Sequence, residues 1–188
     1  MRALVTGASG FVGPWLVEHL RTSGDAVSTP EVEITDAAVV RDALVEARPD
    51  AVYHLAAVAN VGESWGAPLH TFEVNATGTL NVLEAARALP APPTVVLVCS
   101  AEVYGHVRPG DLPLTEDAPL RPVSPYAASK VAAEFLGVQA HLAYGLRVIR
   151  ARAFNHIGPG QAPTFVVSSL ARQVAEIALR GGGSIEVG

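Results

Sequence analysis

Cysteine is almost absent from this sequence, and its scarcity narrows the classes to which the protein can belong. The 188 residues include a single cysteine, Cys99, which excludes both a disulfide framework and a cluster of thiolate metal ligands. The six histidines do not occur at the short helical spacings that zinc motifs require. We therefore expect a site that contains no metal.

Long apolar runs and clusters of positive charge are missing as well. No apolar run approaches ~20 residues, the length that a membrane-spanning helix needs. The net charge is −5 and no Lys/Arg run occurs, which argues against nucleic acid as a partner. The first residues lead directly into an apolar run and lack the pattern of a secretory leader. These observations predict a cytoplasmic location.

The sequence does contain short apolar runs that alternate with helical patterns. Apolar residues make up 49% of the chain and charged residues 16%, as in a compact domain with a sizeable core. The strand-like runs are 2–6, 26–29, 32–34, 51–55, 94–99 and 146–151, and the helical patterns are 10–22, 37–47, 69–88, 124–144 and 165–180. The alternation predicts an α/β fold, a Rossmann-type doubly wound parallel sheet with helices on both faces.

A glycine-rich loop follows the first predicted strand and opens the first predicted helix. Its sequence is Thr-Gly-Ala-Ser-Gly-Phe-Val-Gly, with the glycines at Gly7, Gly10 and Gly13 and with Phe11 and Val12 between the last two. Glycines at such positions allow a tight turn, close approach of the backbone to a pyrophosphate, and close helix–strand packing. The helix N-terminus adds free N–H groups and a partial positive charge. The loop therefore predicts a binding site for a nicotinamide dinucleotide.

The residues for the adenosine half of the dinucleotide are less distinct. An acidic residue at the end of the second strand would indicate NAD, and a basic one NADP, but Thr29 and Pro30 occur there. Glu31 is close to this point and is equally consistent with a solvated loop. Asp36 is a candidate for a hydrogen bond to the adenine edge, and it is also a candidate N-cap for the next helix.

Tyr126 and Lys130 form the candidate catalytic pair. Their spacing of four residues in a predicted helix places both on one face. A lysine ammonium beside a tyrosine hydroxyl is expected to lower the tyrosine pKa and to make it an acid or base near neutral pH. Lys130 is the only lysine among thirteen basic residues, which suggests a site that needs a compact ammonium instead of a planar guanidinium.

Ser100 ends a strand-like run, where its hydroxyl would point into the ligand crevice and bind a substrate carbonyl. Glu102 would face the same side if the extended conformation continued, either as a general base or as part of the pocket wall. Cys99 and His54 fit core positions better than catalytic ones. The polar, proline-rich stretch 106–125 is expected to be a loop at the carboxyl ends of the strands.

Several strings occur together in an order that resembles the extended short-chain dehydrogenases/reductases that modify nucleotide sugars. They are the glycine loop, His54–Ala57, Glu63–Trp65, Asn75, Ser100-x-Glu102-x-Tyr104-Gly105, the Tyr126/Lys130 pair and Phe154–Gln161. The last string, Phe-Asn-His-Ile-Gly-Pro-Gly-Gln, is most similar to the branch of that family that reduces GDP-4-dehydro-6-deoxymannose.

The resemblance implies a role for each matching residue in the reduction of a sugar C4 ketone. Tyr126 would protonate the ketone oxygen, Ser100 would orient the carbonyl, and Lys130 would bind the nicotinamide ribose and tune Tyr126. The residues expected to line the cofactor groove are Leu55, Ala56 and Ala57, with His156 near the cofactor and Asn155 at the substrate. The cofactor would be NADP(H), with NAD(H) also possible, and the product a GDP-6-deoxyhexose such as GDP-rhamnose.

Two other functions stay open at this point. A 4,6-dehydratase of the same family would use Glu102 as the base for the C5 proton. A non-catalytic dinucleotide-binding protein is the third possibility, because the relatives continue into a C-terminal substrate-binding region that we expect to be absent from the single Rossmann domain of residues 1–188. The last residues, 185–188, resemble the start of a strand. Helices 69–88 and 124–144 are apolar on more than one face, and the resemblance implies that they pair two subunits into a homodimer.

Overall fold

The computed structural model describes residues 1–187 and contains a five-stranded parallel sheet. The strands are β1 (Arg2–Thr6), β2 (Ala26–Ser28), β3 (Ala51–His54), β4 (Thr94–Val98) and β5 (Val148–Ala151), in the order β2-β1-β3-β4-β5. The helices are α1 (Gly13–Thr22), α2 (Ala37–Ala47), α3 (Val61–Gly66), α4 (Pro68–Phe72), α5 (Gly78–Arg87), α6 (Pro125–Tyr144) and α7 (Val166–Arg180). The predicted doubly wound α/β fold is confirmed.

The side chains of β1 show how the sheet is covered on both faces. Ala3 and Val5 pack with Val17 and Leu20 of α1, whereas Leu4 points to the other face and joins the larger core cluster. That larger cluster includes residues of α2, α5 and α6. Because side chains alternate along a strand, every position of β1 after Arg2 is buried on one face or the other.

Two of the predicted strands are wrong. Residues 32–34 form no strand and lead into a turn at 34–35, where the Asp36 amide donates to the Glu33 carbonyl and the Asn81 side chain donates to the Ile34 carbonyl. Residues 185–187 form no strand either, because the Gln173 side chain exchanges two hydrogen bonds with the backbone of Glu186. Gly188, the last residue of that predicted strand, lies outside the described residues.

The helix predicted over 69–88 is present as one continuous helical stretch, in which an unpredicted π-helical turn (Glu73–Thr77) joins α4 to α5. The hydroxyl of Thr79 donates to the Asn75 carbonyl at 2.6 Å, and the Asn75 side chain bonds the backbone of Val58. Wide turns of this kind occur frequently at functional sites. The turn thus places a buried asparagine against the segment that follows β3.

The chain divides into two compact units, Met1–Phe154 and Asn155–Gly188. The first contains the sheet and helices α1 to α6. The second contains α7, and a hydrogen bond of 2.7 Å from the Ser168 hydroxyl to the Gln161 carbonyl connects the start of this helix to the preceding segment. Among the residues that the structure describes, no helix is long and apolar enough to cross a membrane.

Candidate functional site

The glycine loop after β1 has the backbone geometry that the sequence predicts. Gly7 has a φ of +68°, and a side chain there would bring a Cβ within 2.6 Å of the Ala56 backbone nitrogen. A Cβ on Gly13 would collide with the carbonyl of Ala8. The amide of Gly10 donates to the Gly7 carbonyl at 3.1 Å, and the Gly13 amide donates to the Gly10 carbonyl at 3.2 Å. The loop is therefore compact, and α1 begins directly at its last glycine.

A groove of about 640 Å³ opens between this loop and the segment that follows β2. Its lining comprises Gly7, Ala8, Ser9, Pro14, Val17, Arg21, residues 29–33 and Ala56. Arg21 is a basic residue of the groove that the sequence analysis missed. It shares one face of α1 with Pro14 and Val17 by its spacing, and helical side chains tilt toward the helix N-terminus, which brings it toward the loop. That spacing was the signal available in the sequence.

Asp36 occupies the N-cap of α2, as predicted. Its carboxylate accepts hydrogen bonds from the amides of Ala38 and Val39, at 2.9 and 3.2 Å. The acidic residues that line the groove are Glu31 and Glu33. Two hydrogen bonds from Thr35 hold the Glu33 carboxylate and lower its pKa.

Tyr126 and Lys130 are both buried on the first two turns of α6. Ser124 caps this helix by accepting from the Ala127 amide, and the Tyr126 amide donates to the hydroxyl of Ser64 at 3.2 Å. Lys130 Nζ lies 6.0 Å from the centroid of the Tyr126 ring and donates to the Val98 carbonyl at 2.9 Å. The predicted shared face is confirmed, and the lysine connects α6 to the end of β4.

Lys130 does not lower the pKa of Tyr126 in this structure, contrary to the expectation from their spacing. Burial raises the pKa of Tyr126, a hydrogen bond to Ser100 opposes this effect, and the charge of Glu102 adds to it. Burial also lowers the pKa of Lys130 to about 8. The Lys130 ammonium points to the Val98 carbonyl, and burial has the largest effect on the pKa of Tyr126 and on that of Lys130.

Ser100 and Glu102 lie at the carboxyl end of β4, but the extended conformation does not continue to Glu102. Residues 101–104 form a 3₁₀ turn, and the Ser100 hydroxyl caps it by accepting from the Glu102 amide at 3.2 Å. Glu102 is therefore exposed on a turn and does not follow the strand alternation that was predicted. Ser100 and Glu102 nevertheless both act on the pKa of Tyr126, which places the three side chains near one another.

A buried chain of hydrogen bonds lies behind the groove. His54 bonds the hydroxyl of Thr6 through Nδ1 at 2.7 Å and that of Thr79 through Nε2 at 3.1 Å. Burial, and then the charge of Lys130, lower the pKa of His54 to about 3. The prediction of a satisfied core histidine is confirmed. Cys99 is likewise a core residue, because burial raises the pKa of its thiol to about 12.

Asn75 connects this buried chain to Val58, in the segment after β3, and to the helix of the catalytic pair. Its side chain accepts from the Val58 amide at 2.8 Å, donates to the Val58 carbonyl at 3.1 Å, and donates to the Ser129 hydroxyl at 2.9 Å. Ser129 in turn donates to the carbonyl of Tyr126 at 2.7 Å. The predicted groove residues Leu55, Ala56 and Ala57 precede Val58, and Ala56 lines the groove.

Asn155 and His156 lie in the second unit, in the irregular segment that precedes α7. Both are exposed, and the His156 carbonyl accepts from the Gln161 side chain at 3.0 Å. Their expected roles at the substrate and the cofactor stay predictions.

The chain is similar to proteins that are described as enzymes of nucleotide sugars. The family model described as GDP-mannose 4,6 dehydratase matches residues 25–188. The chain is 41% identical over 184 residues to a GDP-6-deoxy-D-mannose reductase of Pseudomonas aeruginosa, covering 94% of this chain and 59% of that one. It is 32% identical over 208 residues to a GDP-mannose 4,6-dehydratase of Vibrio cholerae, covering 94% and 55%.

Two solved structures are similar across nearly the whole chain. The structure of RMD from Pseudomonas aeruginosa complexed with NADPH has a TM-score of 0.88 and 37% identity, covering 97% of this chain and 64% of that one. The Thermus thermophilus UDP-glucose 4-epimerase complex with NAD has a TM-score of 0.84 and 36% identity, covering 98% and 64%. The chain thus spans less than two thirds of the length of each of these four proteins.

Proposed function

Because the chain belongs to the GDP-mannose 4,6-dehydratase family of extended short-chain dehydrogenases/reductases, we propose that it reduces the C4 ketone of a GDP-activated 4-keto-6-deoxy sugar. The observation that carries the proposal is the convergence of Ser100, Tyr126 and Lys130 at the carboxyl ends of the strands, where the glycine loop also lies. Ligands of open α/β sheets bind at this edge.

The residues present fit a nicotinamide dinucleotide. Gly7 and Gly13 leave the backbone free of side chains where the loop turns, and the N-terminus of α1 presents its amides to the pyrophosphate. Ala56 lines the same groove, with Leu55 and Ala57 on either side of it in the chain. When bound, the dinucleotide supplies the hydride for the sugar carbon.

Tyr126 donates the proton that completes the new hydroxyl group. Its raised pKa keeps the phenol protonated at neutral pH, which is the state that a proton donor needs. Ser100 binds the carbonyl oxygen beside it and holds that oxygen within reach of the phenol. Lys130 binds the nicotinamide ribose as an ammonium, since a pKa of about 8 leaves it mostly protonated at neutral pH.

NADP(H) is the favoured cofactor, and NAD(H) stays possible. Arg21 supports NADP(H), because a guanidinium in the groove suits a 2′-phosphate, and the relative with a TM-score of 0.88 is described with NADPH. Glu31 and Glu33 line the same groove and suit a free ribose hydroxyl, and the epimerase relative is described with NAD. Asp36 contributes a contact to the adenine edge in addition to its capping role.

A 4,6-dehydratase is the second candidate function, and Glu102 favours it. This carboxylate acts on the pKa of Tyr126 and so lies near the catalytic pair, where a dehydratase needs a base for a sugar proton. A Glu102→Gln variant separates the two functions. A dehydratase loses its elimination step, whereas a reductase keeps hydride transfer.

We also propose that two copies of the chain pair through α3 to α6. Large apolar side chains are exposed on these helices: Trp65 is 63% exposed, Leu69 85%, Phe72 47% and Phe135 54%. Because α3 and α4 both pack against α6, these residues belong to one group of neighbouring helices. Light scattering after gel filtration tests this proposal, and a monomer would contradict it.

The function is tested by titrating the protein with NADPH and with NADH, followed by addition of GDP-4-keto-6-deoxymannose. Oxidation of the bound cofactor on addition of the sugar is the expected result. A Tyr126→Phe variant should bind the cofactor normally and lose about 10²–10⁴-fold in rate. Tyr144→Phe is the matched control, since Tyr144 ends the same helix and stacks on Arg87. Cofactor binding without turnover would instead indicate a non-catalytic dinucleotide-binding protein.

A further inference from the structure

Arg152 joins three separate parts of the unit Met1–Phe154. Its Nη2 and Nε donate to the Glu134 carboxylate at 2.6 and 3.0 Å. Its Nη1 donates to the Tyr104 hydroxyl at 2.9 Å and to the Glu116 carbonyl at 2.7 Å. The side chain thus connects α6, the 3₁₀ turn after β4, and the loop that leads into α6.

The contact with α6 is made on the face that contains the catalytic pair. Tyr126, Lys130 and Glu134 occur at intervals of four residues, so they lie along one side of the helix. Glu134 is fully buried, and burial by itself raises the pKa of its carboxyl. Hydrogen bonds and charge from Arg152, with charge from Arg150, outweigh that effect and hold the pKa below its ordinary value. A buried carboxylate that lost this partner would be strongly destabilising.

The contacts with the loop are made at the edge of the sheet where the candidate site lies. Tyr104 donates its hydroxyl proton to the Thr115 carbonyl at 3.2 Å, beside the Glu116 carbonyl that Arg152 binds. The loop starts after the turn that follows β4 and ends at Ser124, the N-cap of α6. In a parallel sheet both points are at the carboxyl edge, so the loop 105–124 runs beside Ser100 and Tyr126.

We infer that Arg152 is a positioning residue that holds the loop 105–124 in place as part of the wall of the sugar site. The inference rests on the proposed function, because it assigns this loop to the nucleotide sugar and not to the cofactor. Arg150 provides an internal comparison. It donates to the same Glu134 carboxylate at 2.9 Å, and the hydrogen bonds of its side chain in the described structure go to that carboxylate and not to the loop.

The test compares Arg152→Lys and Tyr104→Phe with Arg150→Lys. For each variant, amide hydrogen exchange of the loop, the Kd for NADPH, and the KM and kcat for GDP-4-keto-6-deoxymannose are measured. In the first two variants we expect exchange in residues 112–118 to be about tenfold faster, as for the loss of about one hydrogen bond. We expect KM for the sugar to rise about tenfold, with the Kd for NADPH within about twofold of the parent. Arg150→Lys should leave all three unchanged.

Two results would overturn the inference. Unchanged loop exchange in both variants would show that Arg152 does not anchor the loop. A loss of NADPH affinity or of thermal stability with no specific change in KM would show that the network supports only the fold. A parent protein that binds NADPH without turning over the sugar would refute the proposed function separately. In that case, faster loop exchange in the variants would still show that Arg152 anchors the loop, but the role of the loop in the sugar site would be rejected.

Discussion

Replacing Lys130 by Met should remove a component of stability that depends on pH. The ammonium of Lys130 is buried against the Val98 carbonyl, and burial lowers its pKa from 10.5 to about 8. Each pKa unit corresponds to about 1.4 kcal/mol, so the folded protein loses about 3 kcal/mol by keeping this group charged at neutral pH. Met has a similar length and no charge, and it avoids that cost.

The sign of the effect follows from the proton count. At pH values between about 8 and 10.5 the unfolded chain retains a proton on Lys130 that the folded protein has released. The free energy of unfolding of the parent therefore rises with pH across this window, by about 2 kcal/mol up to about pH 9.5 and about 3 kcal/mol in total. The Val98 carbonyl also loses its donor in the Met variant, but that loss does not depend on pH.

The measurement is urea unfolding at a series of pH values from neutral to about pH 9.5, with the fluorescence of Trp15 and Trp65 as the probe of unfolding. The free energy of the parent should rise relative to that of Lys130→Met by about 2 kcal/mol over this range. Lys130→Arg is the control, because a guanidinium stays charged throughout and should show no such rise. Parallel curves for parent and Met variant would mean that Lys130 titrates at its ordinary pKa, and the argument from burial would fail.

Three further substitutions test the packing around the site. Gly13→Ala forces a Cβ into the Ala8 carbonyl, so we expect it to lower the free energy of unfolding by about 2–3 kcal/mol and to weaken cofactor binding. Gly66 has open space around it, and Gly66→Ala should change the stability little when the two variants are compared by calorimetry. Asp36→Ala removes the cap of α2 and should cost about 1 kcal/mol in denaturant unfolding, with Asp36→Asn recovering most of it; equal stability of all three proteins would contradict the capping role. Asn75→Ala removes three hydrogen bonds of a buried side chain and should cost about 3 kcal/mol, and a smaller loss than for Asp36→Ala would show that the bonds to Val58 and Ser129 contribute little.

Local sequence patterns predicted the fold wherever a single principle determined the conformation. β1 and α2 have the predicted bounds, because an apolar run defines the strand and because an N-cap followed by a periodic apolar pattern defines the helix. The errors arose where side chains replaced backbone partners. Asn81 donates to the backbone of the segment predicted as a strand at 32–34, and the Thr79 hydroxyl donates to the Asn75 carbonyl in the π-helical turn that the pattern over 69–88 does not predict. Such long-range or side-chain bonds leave no periodic signal.

The sequence predicted which residues form the candidate site better than it predicted the pKa values of those residues. Spacing correctly placed Tyr126 and Lys130 on one face, and the strand end correctly placed Ser100 near them. The direction of the Tyr126 pKa was wrong, because spacing cannot reveal that Lys130 turns to the Val98 carbonyl. Arg152 was missed for a similar reason, since its partners Tyr104, Glu116 and Glu134 are 18 or more residues away in the chain.

The order of the two pKa values in the pair bears on the direction of the chemistry. Lys130 has a pKa near 8, whereas that of Tyr126 lies above its ordinary value of 10, so the lysine loses its proton first as pH rises. Tyr126 therefore keeps its proton throughout the range in which Lys130 changes charge, and it is suited to donate a proton to a carbonyl oxygen. Had Lys130 approached the phenol and been charged beside it, the tyrosine would have been the easier group to ionise and better suited to act as a base. A protonated Tyr126 is the form that the proposed ketone reduction needs, whereas the alternative dehydratase would rely on Glu102, near the pair, as its base.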